Sequence, residues 1–191
     1  MHSHLIPSKN ARNGFVLHGI PGSGKTQLAL RYIAKYGDAF SHILWISAAS
    51  MEEVEISFAD AARRIAATGT DSPASATRNA TTDREYVHDC LEKHLERNWL
   101  IVLDSLDSPT PGSINYLPRC NHGSVLITSI RADTKDRYQF PGCEVSRLDE
   151  DSACSLLSAL SNLPSNKESN QEYAMSKWAS FTREHSFTDK R

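Results

Sequence analysis

The chain has 191 residues and a formal charge of −2, from 21 Lys and Arg against 23 Asp and Glu. That length suits one domain with a real core, and no basic excess points to nucleic acid or to an anionic membrane surface. Cys90, Cys120, Cys143 and Cys154 form no C-x-x-C pair and the eight histidines show no H-x-x-x-H spacing, which argues against a disulfide framework or a metal site built on them. No apolar run approaches the ~18 residues of a membrane span, and MHSHLIPSKNARNG lacks the apolar core of a secretory signal. The expectation is a cytoplasmic protein.

In chain order, residues 1–13 read as an N-terminal segment. Phe15–His18 is a short apolar run before a glycine-rich loop and reads as a buried strand. Gln27–Tyr36 carries Leu28, Leu30, Ile33 and Ala34 at helical spacing, with Gly37 as a stop signal. His42–Ile46 (HILWI) reads as a second strand. Ser50-Met51-Glu52-Glu53 is a capping box, and the helix it opens has Val54, Phe58, Ala62 and Ile65 on one face. Residues 68–81 (TGTDSPASATRNAT) lack aliphatic periodicity and read as a flexible insertion.

Thr82-Asp83-Arg84-Glu85 is a second capping box, opening a helix with Val87, Leu91 and Leu95 on one face. Trp99–Leu103 (WLIVL) is unbroken apolar sequence ending at Asp104, as expected of a central parallel strand covered on both faces. Ser124–Thr128 (SVLIT) is a fourth strand and Cys143–Val145 a short fifth. Asp149–Leu160 is a final helix with Ala153, Leu156, Leu157 and Leu160 on one side, and 161–191 is a polar, poorly ordered tail. Alternating strands and helices predict an α/β fold, a three-layer arrangement with a central parallel sheet flanked by helices, over residues 14–160.

The stretch GIPGSGKT, residues 19–26, fits G-x-x-x-x-G-K-[ST] at Gly19, Gly24, Lys25 and Thr26. A strand precedes it and a helix follows, which is the context this motif requires. The glycines let successive N–H groups turn inward on an anion, and the helix dipole adds partial positive charge. Gly19, Ile20, Pro21, Gly22, Ser23, Gly24, Lys25, Thr26 and Gln27 are therefore the expected nucleotide-binding residues. Lys25 would reach the β- and γ-phosphates, and the Thr26 hydroxyl would ligate Mg²⁺. Asp104, at a strand's C-terminal edge where open α/β sheets bind ligands, is the expected Mg²⁺-side acid.

Hydrolysis is a separate matter. Many P-loop ATPases carry a second carboxylate beside the metal acid to orient water, and here that neighbour is Ser105. Asp107 is the candidate catalytic carboxylate if the turn folds back; its other reading is a cap on the turn before Pro109. General-base help is worth ~10²–10⁴ in rate, so slow hydrolysis or none is expected.

Four segments in order resemble the NB-ARC domain of STAND-class P-loop NTPases, in wording similar to fungal NLR-like proteins: FVLHGIPGSGKTQLALRYIAKYGDAFSHILWISAAS, NWLIVLDSLDSP, YLPRCNHGSVLITSIRAD and EVSRLDEDSACSLLSAL. The resemblance spans about residues 14–160. It implies a nucleotide-operated switch, closed with ADP and opened for self-assembly by ATP, with adenine as the base and protein partners engaged through effector or repeat domains. It also implies a sheet in which the sensor strand lies between the P-loop strand and the Asp104 strand. The chain departs from the family at Pro21-Gly22-Ser23, which is closer to AAA-type ATPases. It departs again after Thr128-Ser129, where Ile130 stands in place of the γ-phosphate-sensing arginine.

Arg131, one residue late, is the candidate sensor only where the strand has ended or bulges, because a one-residue slip reverses a side chain's face. The family's Gly-Arg-Glu segment is not seen before Phe15, nor its Gly-Leu-Pro-Leu motif after Leu160, so the reading is the nucleotide-binding core of a larger switch. Two other readings stand beside it: an active AAA-like ATPase or small-molecule kinase, and a non-binding truncated remnant.

Overall fold

The computed structural model describes residues 1–6, 11–67, 80–95, 98–107 and 116–161. The chain divides into two units, Met1–Ser146 and Arg147–Arg191. The first holds the short helix α1 (His2–Leu5), β1 (Asn13–His18), α2 (Lys25–Tyr36), β2 (Ile43–Ser47), α3 (Met51–Ala67), α4 (Ala80–Asp89), β3 (Leu100–Asp104), β4 (Ser124–Ser129), α5 (Thr134–Tyr138) and β5 (Gly142–Glu144). The second holds α6 (Glu150–Ser161).

Five parallel strands lie in the order β2-β3-β4-β1-β5. β4 thus stands between β1 and β3, as the family resemblance implies. The continuous apolar runs are explained by their alternation between two cores. Phe15, Leu17, Leu100, Val102 and Leu126 face one cluster, with Leu5 of α1 and Ala29 and Tyr32 of α2. Val16, Ile101, Leu103, Val125 and Ile127 face the other, with Val54, Phe58, Ala62 and Ile65 of α3 and Val87 and Leu91 beyond it. Burial on both faces is what a parallel sheet between helices demands, and the result is the P-loop NTPase three-layer fold. Asp104 comes in line with Thr128, and His18 with Ser129, so these residues reach the same C-terminal edge of the sheet.

Several expected boundaries move. The second helix begins at Lys25, two residues before Gln27, because Gly24 caps it from the left-handed region at φ 93. The second strand is Ile43–Ser47, its start set by the Leu100 N–H on His42 O at 2.8 Å. The fifth is Gly142–Glu144, paired to Val16–His18. Only half of the first capping box closes: Glu53 N–H donates to Ser50 Oγ at 3.2 Å, while the Glu53 carboxylate takes the Ser47 hydroxyl.

α4 starts at Ala80, so residues 80 and 81 are helical rather than part of an insertion, and Thr82 stands inside the first turn instead of capping it. Val87 and, just past the helix, Leu91 pack into the core shared with α3. The end of α4 widens into a π turn at Cys90–His94, closed by Leu95 N–H on Cys90 O at 2.8 Å. Residues 68–79 of the expected insertion, and 162–191 of the expected tail, lie outside the described residues. α6 begins one residue after Asp149, whose carboxylate caps it through the Ser152 N–H at 2.8 Å. On this helix Leu156 is 49% exposed and so does not join a buried face; the side chains of residues 157–161 lie outside the described set. No described helix is long and apolar enough to cross a membrane.

Candidate functional site

The end of β1 fixes one side of the glycine-rich loop. Gly19 N–H donates to Ser129 O at 3.2 Å, and a Cβ at Gly19 would stand 2.4 Å from Val145 O. Only glycine fits that approach. The chain then turns, with Ser23 N–H on Ile20 O at 3.3 Å. Gly22 and Gly24 take φ of 76 and 93, and a Cβ on either would meet no atom within 4 Å. The loop is therefore bent as glycine allows, and open space lies over it.

Ile20, Pro21, Gly22 and Gln27 are exposed, Ser23, Gly24 and Thr26 half-buried, and Lys25 buried. The Lys25 ammonium reaches back across the loop to Gly19 O and Ile20 O, both at 2.9 Å. Among the described residues, the N–H groups of Gly22, Gly24, Lys25 and Thr26 donate to no backbone carbonyl. Those at the start of α2 are the unsatisfied donors every helix N-terminus carries.

Thr26 and Asp104 are 78 positions apart in sequence, and the sheet brings them together: Thr26 Oγ1 donates to Asp104 Oδ1 at 2.9 Å. A second hydroxyl, Thr128 Oγ1 on β4, donates to the same oxygen at 2.6 Å. Residue types had marked Thr26 and Asp104 but not Thr128. Its signal was present only as a polar residue near the end of an otherwise apolar strand, in register with Asp104.

The other two candidates have different partners. Asp107 Oδ1 accepts the Ile130 N–H at 2.7 Å, so the turn does fold back, but onto the backbone just past β4. β4 ends at Ser129, so Arg131 lies beyond the strand, the condition under which it could serve as a sensor. Its guanidinium instead grips Asp133 with both Nε and Nη2, at 2.9 and 2.7 Å. Each partner of this exposed pair favours the other's charged form: the bonds to Asp133 push the arginine up, and those to Arg131 hold the carboxyl down.

The groups present fit a triphosphate or diphosphate with Mg²⁺. Thr26 and Asp104 supply hard oxygen donors, the chemistry Mg²⁺ selects. Ser23 Oγ, within the loop, is buried with no partner among the described residues, a polar atom that a phosphate oxygen would satisfy. A separate cleft of about 940 Å³ lies near the opposite, N-terminal ends of β1 and β4, with Arg12, Arg84, His88, Glu92 and Arg137 on its walls. The glycine-rich loop takes no part in it.

With the geometry in place, the molecule can be set beside known ones. Its fold is similar to that of Cdc6p from Pyrobaculum aerophilum, with a TM-score of 0.55 at 13% identity, over 81% of this chain and 45% of that one. The chain therefore spans less than half of that protein's length. A DNA replication initiation factor aligns with a TM-score of 0.47 at 16% identity, over 86% of this chain and 50% of that one. No family model and no curated protein sequence matches the chain.

Proposed function

We propose that the chain is the adenine-nucleotide-binding core of a nucleotide-operated switch of the NB-ARC type, with slow hydrolysis or none. The observation that carries the nucleotide reading is the grouping of Lys25, Thr26 and Asp104 at one sheet edge, with Thr26 Oγ1 2.9 Å from Asp104 Oδ1. The loop N–H groups and Lys25 would hold the phosphates, and Thr26 and Asp104 the metal side. When bound there, Mg²⁺ would supply positive charge to offset that of the phosphates. Adenine, and the switch itself, rest on the four-segment family resemblance. The switch reading gains support from Ser105 directly after Asp104, where a hydrolytic enzyme would place a carboxylate, and from the engagement of Asp107 with Ile130.

A second reading, an active AAA-like ATPase, is favoured by the Pro21-Gly22-Ser23 wording of the loop. Phosphate release separates the two. P-loop switches without a supplied catalytic group turn over far below one per second, and a faster rate here would favour the enzyme. The first test is thermal shift with Mg²⁺–ADP and Mg²⁺–ATP on wild type and Lys25→Ala. A ligand at ~100 times its Kd adds roughly 2.7 kcal/mol, which moves a chain of this size by several degrees. A shift seen in wild type and abolished in Lys25→Ala is expected. No shift in wild type, or the same shift in both, would overturn the site.

A further inference from the structure

We infer that Thr128 is a positioning residue for Asp104, setting how strongly the site takes Mg²⁺; this rests on the nucleotide reading above. Asp104 Oδ1 accepts two hydroxyls, Thr26 Oγ1 at 2.9 Å and Thr128 Oγ1 at 2.6 Å. A threonine hydroxyl has one proton to give and lone pairs to receive. The Thr128 oxygen receives the Ser105 N–H at 2.8 Å, which leaves its proton directed to the carboxylate. Past that N–H the chain turns, with Ser105 itself in the left-handed region at φ 61, immediately after the strand. A non-glycine residue is rarely found there, and strain of this kind collects at functional sites.

The turn is then stapled to β4 twice more, by Leu106 N–H on Thr128 O at 2.9 Å and by the Ser129 hydroxyl on Leu106 O at 2.7 Å. The two hydroxyls that hold Asp104 differ in what surrounds them. Thr26 sits half-buried at the open loop, where its oxygen is also the expected metal donor. Thr128 is 1% exposed, on a central strand, and has Asp104 as the sole acceptor for its proton among the described residues. It therefore keeps the carboxylate aimed while Thr26 serves the cation. Asp104 Oδ2 accepts no hydrogen bond from the described residues, so one oxygen is committed to the hydroxyls and the other is left for the cation's shell. Partners of this outer kind are worth roughly 10–100-fold in metal affinity.

The test is calorimetric titration of the whole chain with ADP at a series of MgCl₂ concentrations and in EDTA, for wild type, Thr128→Val and Thr128→Ser. Thr128→Val keeps the shape and removes the hydroxyl. It should raise the Mg²⁺ midpoint for ADP binding about 10-fold or more and leave ADP affinity in EDTA unchanged. Thr128→Ser should keep the wild-type midpoint. An unshifted midpoint in Thr128→Val would overturn the role, as would a Thr128→Ser midpoint displaced as far as that of Thr128→Val. If Thr128→Val does not fold, Thr128→Ala, which also lacks the hydroxyl, decides: a midpoint raised about 10-fold or more supports the role and the wild-type midpoint refutes it. A wild type that binds no ADP under any condition would remove the nucleotide site itself, and with it this role for Thr128.

Discussion

Replacing Gly123 with alanine probes how the strand carrying Asp104 is anchored. Gly123 has φ 83, and an added Cβ would stand 2.3 Å from the Trp99 ring. Trp99 directly precedes β3 and is fully buried, and its indole N–H holds Leu91 O at 3.1 Å. The ring cannot swing aside without leaving that buried indole N–H unmatched, even though His122 Nε2 also lies 3.1 Å from Leu91 O. A left-handed backbone costs a non-glycine residue roughly 1–2 kcal/mol, and overpacking a closed core about 1–3 kcal/mol. The expected loss is ~2–5 kcal/mol, a fall of roughly 4–20 °C in Tm for a chain of this length. Circular dichroism melts of the full chain measure it. Gly22→Ala is the control: its φ of 76 carries the backbone penalty, but no atom lies within 4 Å of the new Cβ, so its Tm should fall less. If Gly123→Ala melts with the wild type, or no lower than Gly22→Ala, the anchoring of Trp99 has been misread.

Asp107→Ala removes the acceptor for Ile130 N–H and should lower stability by about 1 kcal/mol without changing phosphate release; a large drop in release at unchanged stability would restore Asp107 as a catalytic group. His88 gives a pH dependence. Burial pushes its imidazole down, opposed by the bond to the Tyr116 carbonyl; nearby Arg84 and Arg12 lower it further and Glu92 raises it. The unfolded chain then binds this proton first, so the stability carried by neutral His88 is complete above about pH 6.5 and declines as the pH falls below it. The Tm should drop more steeply on acidification in wild type than in His88→Asn, and parallel profiles would show that His88 titrates alike in both states.

Much of the candidate site was legible along the chain because the glycine-rich loop is a local device. Three glycines, a lysine and a threonine within eight positions determine a bend and a helix start before any distant residue is placed. The LIVLD run was equally direct, since apolar residues on both strand faces followed by an acid describe a buried parallel strand and its exposed end. Helix starts were less legible. Ser50 holds the Glu53 N–H, as its capping signal implies, but Glu53 turns to Ser47 on the neighbouring strand. The local signal at Thr82 did not mark the helix start, which lies two residues earlier, at Ala80.

Composition, periodicity and one contiguous motif thus determined the three-layer class, the loop, and the candidacy of Lys25, Thr26 and Asp104. Tertiary structure decided which side chains hold one another. Thr128 lies 24 positions from Asp104 and meets it only because β4 pairs beside β3 in a register that aligns the two. The same pairing diverts Asp107 to Ile130, while the turn beyond β4 places Arg131 on Asp133. A hydrogen bond is a matter of a few tenths of an ångström and of direction, whereas residue type and spacing specify only which groups are available to form one.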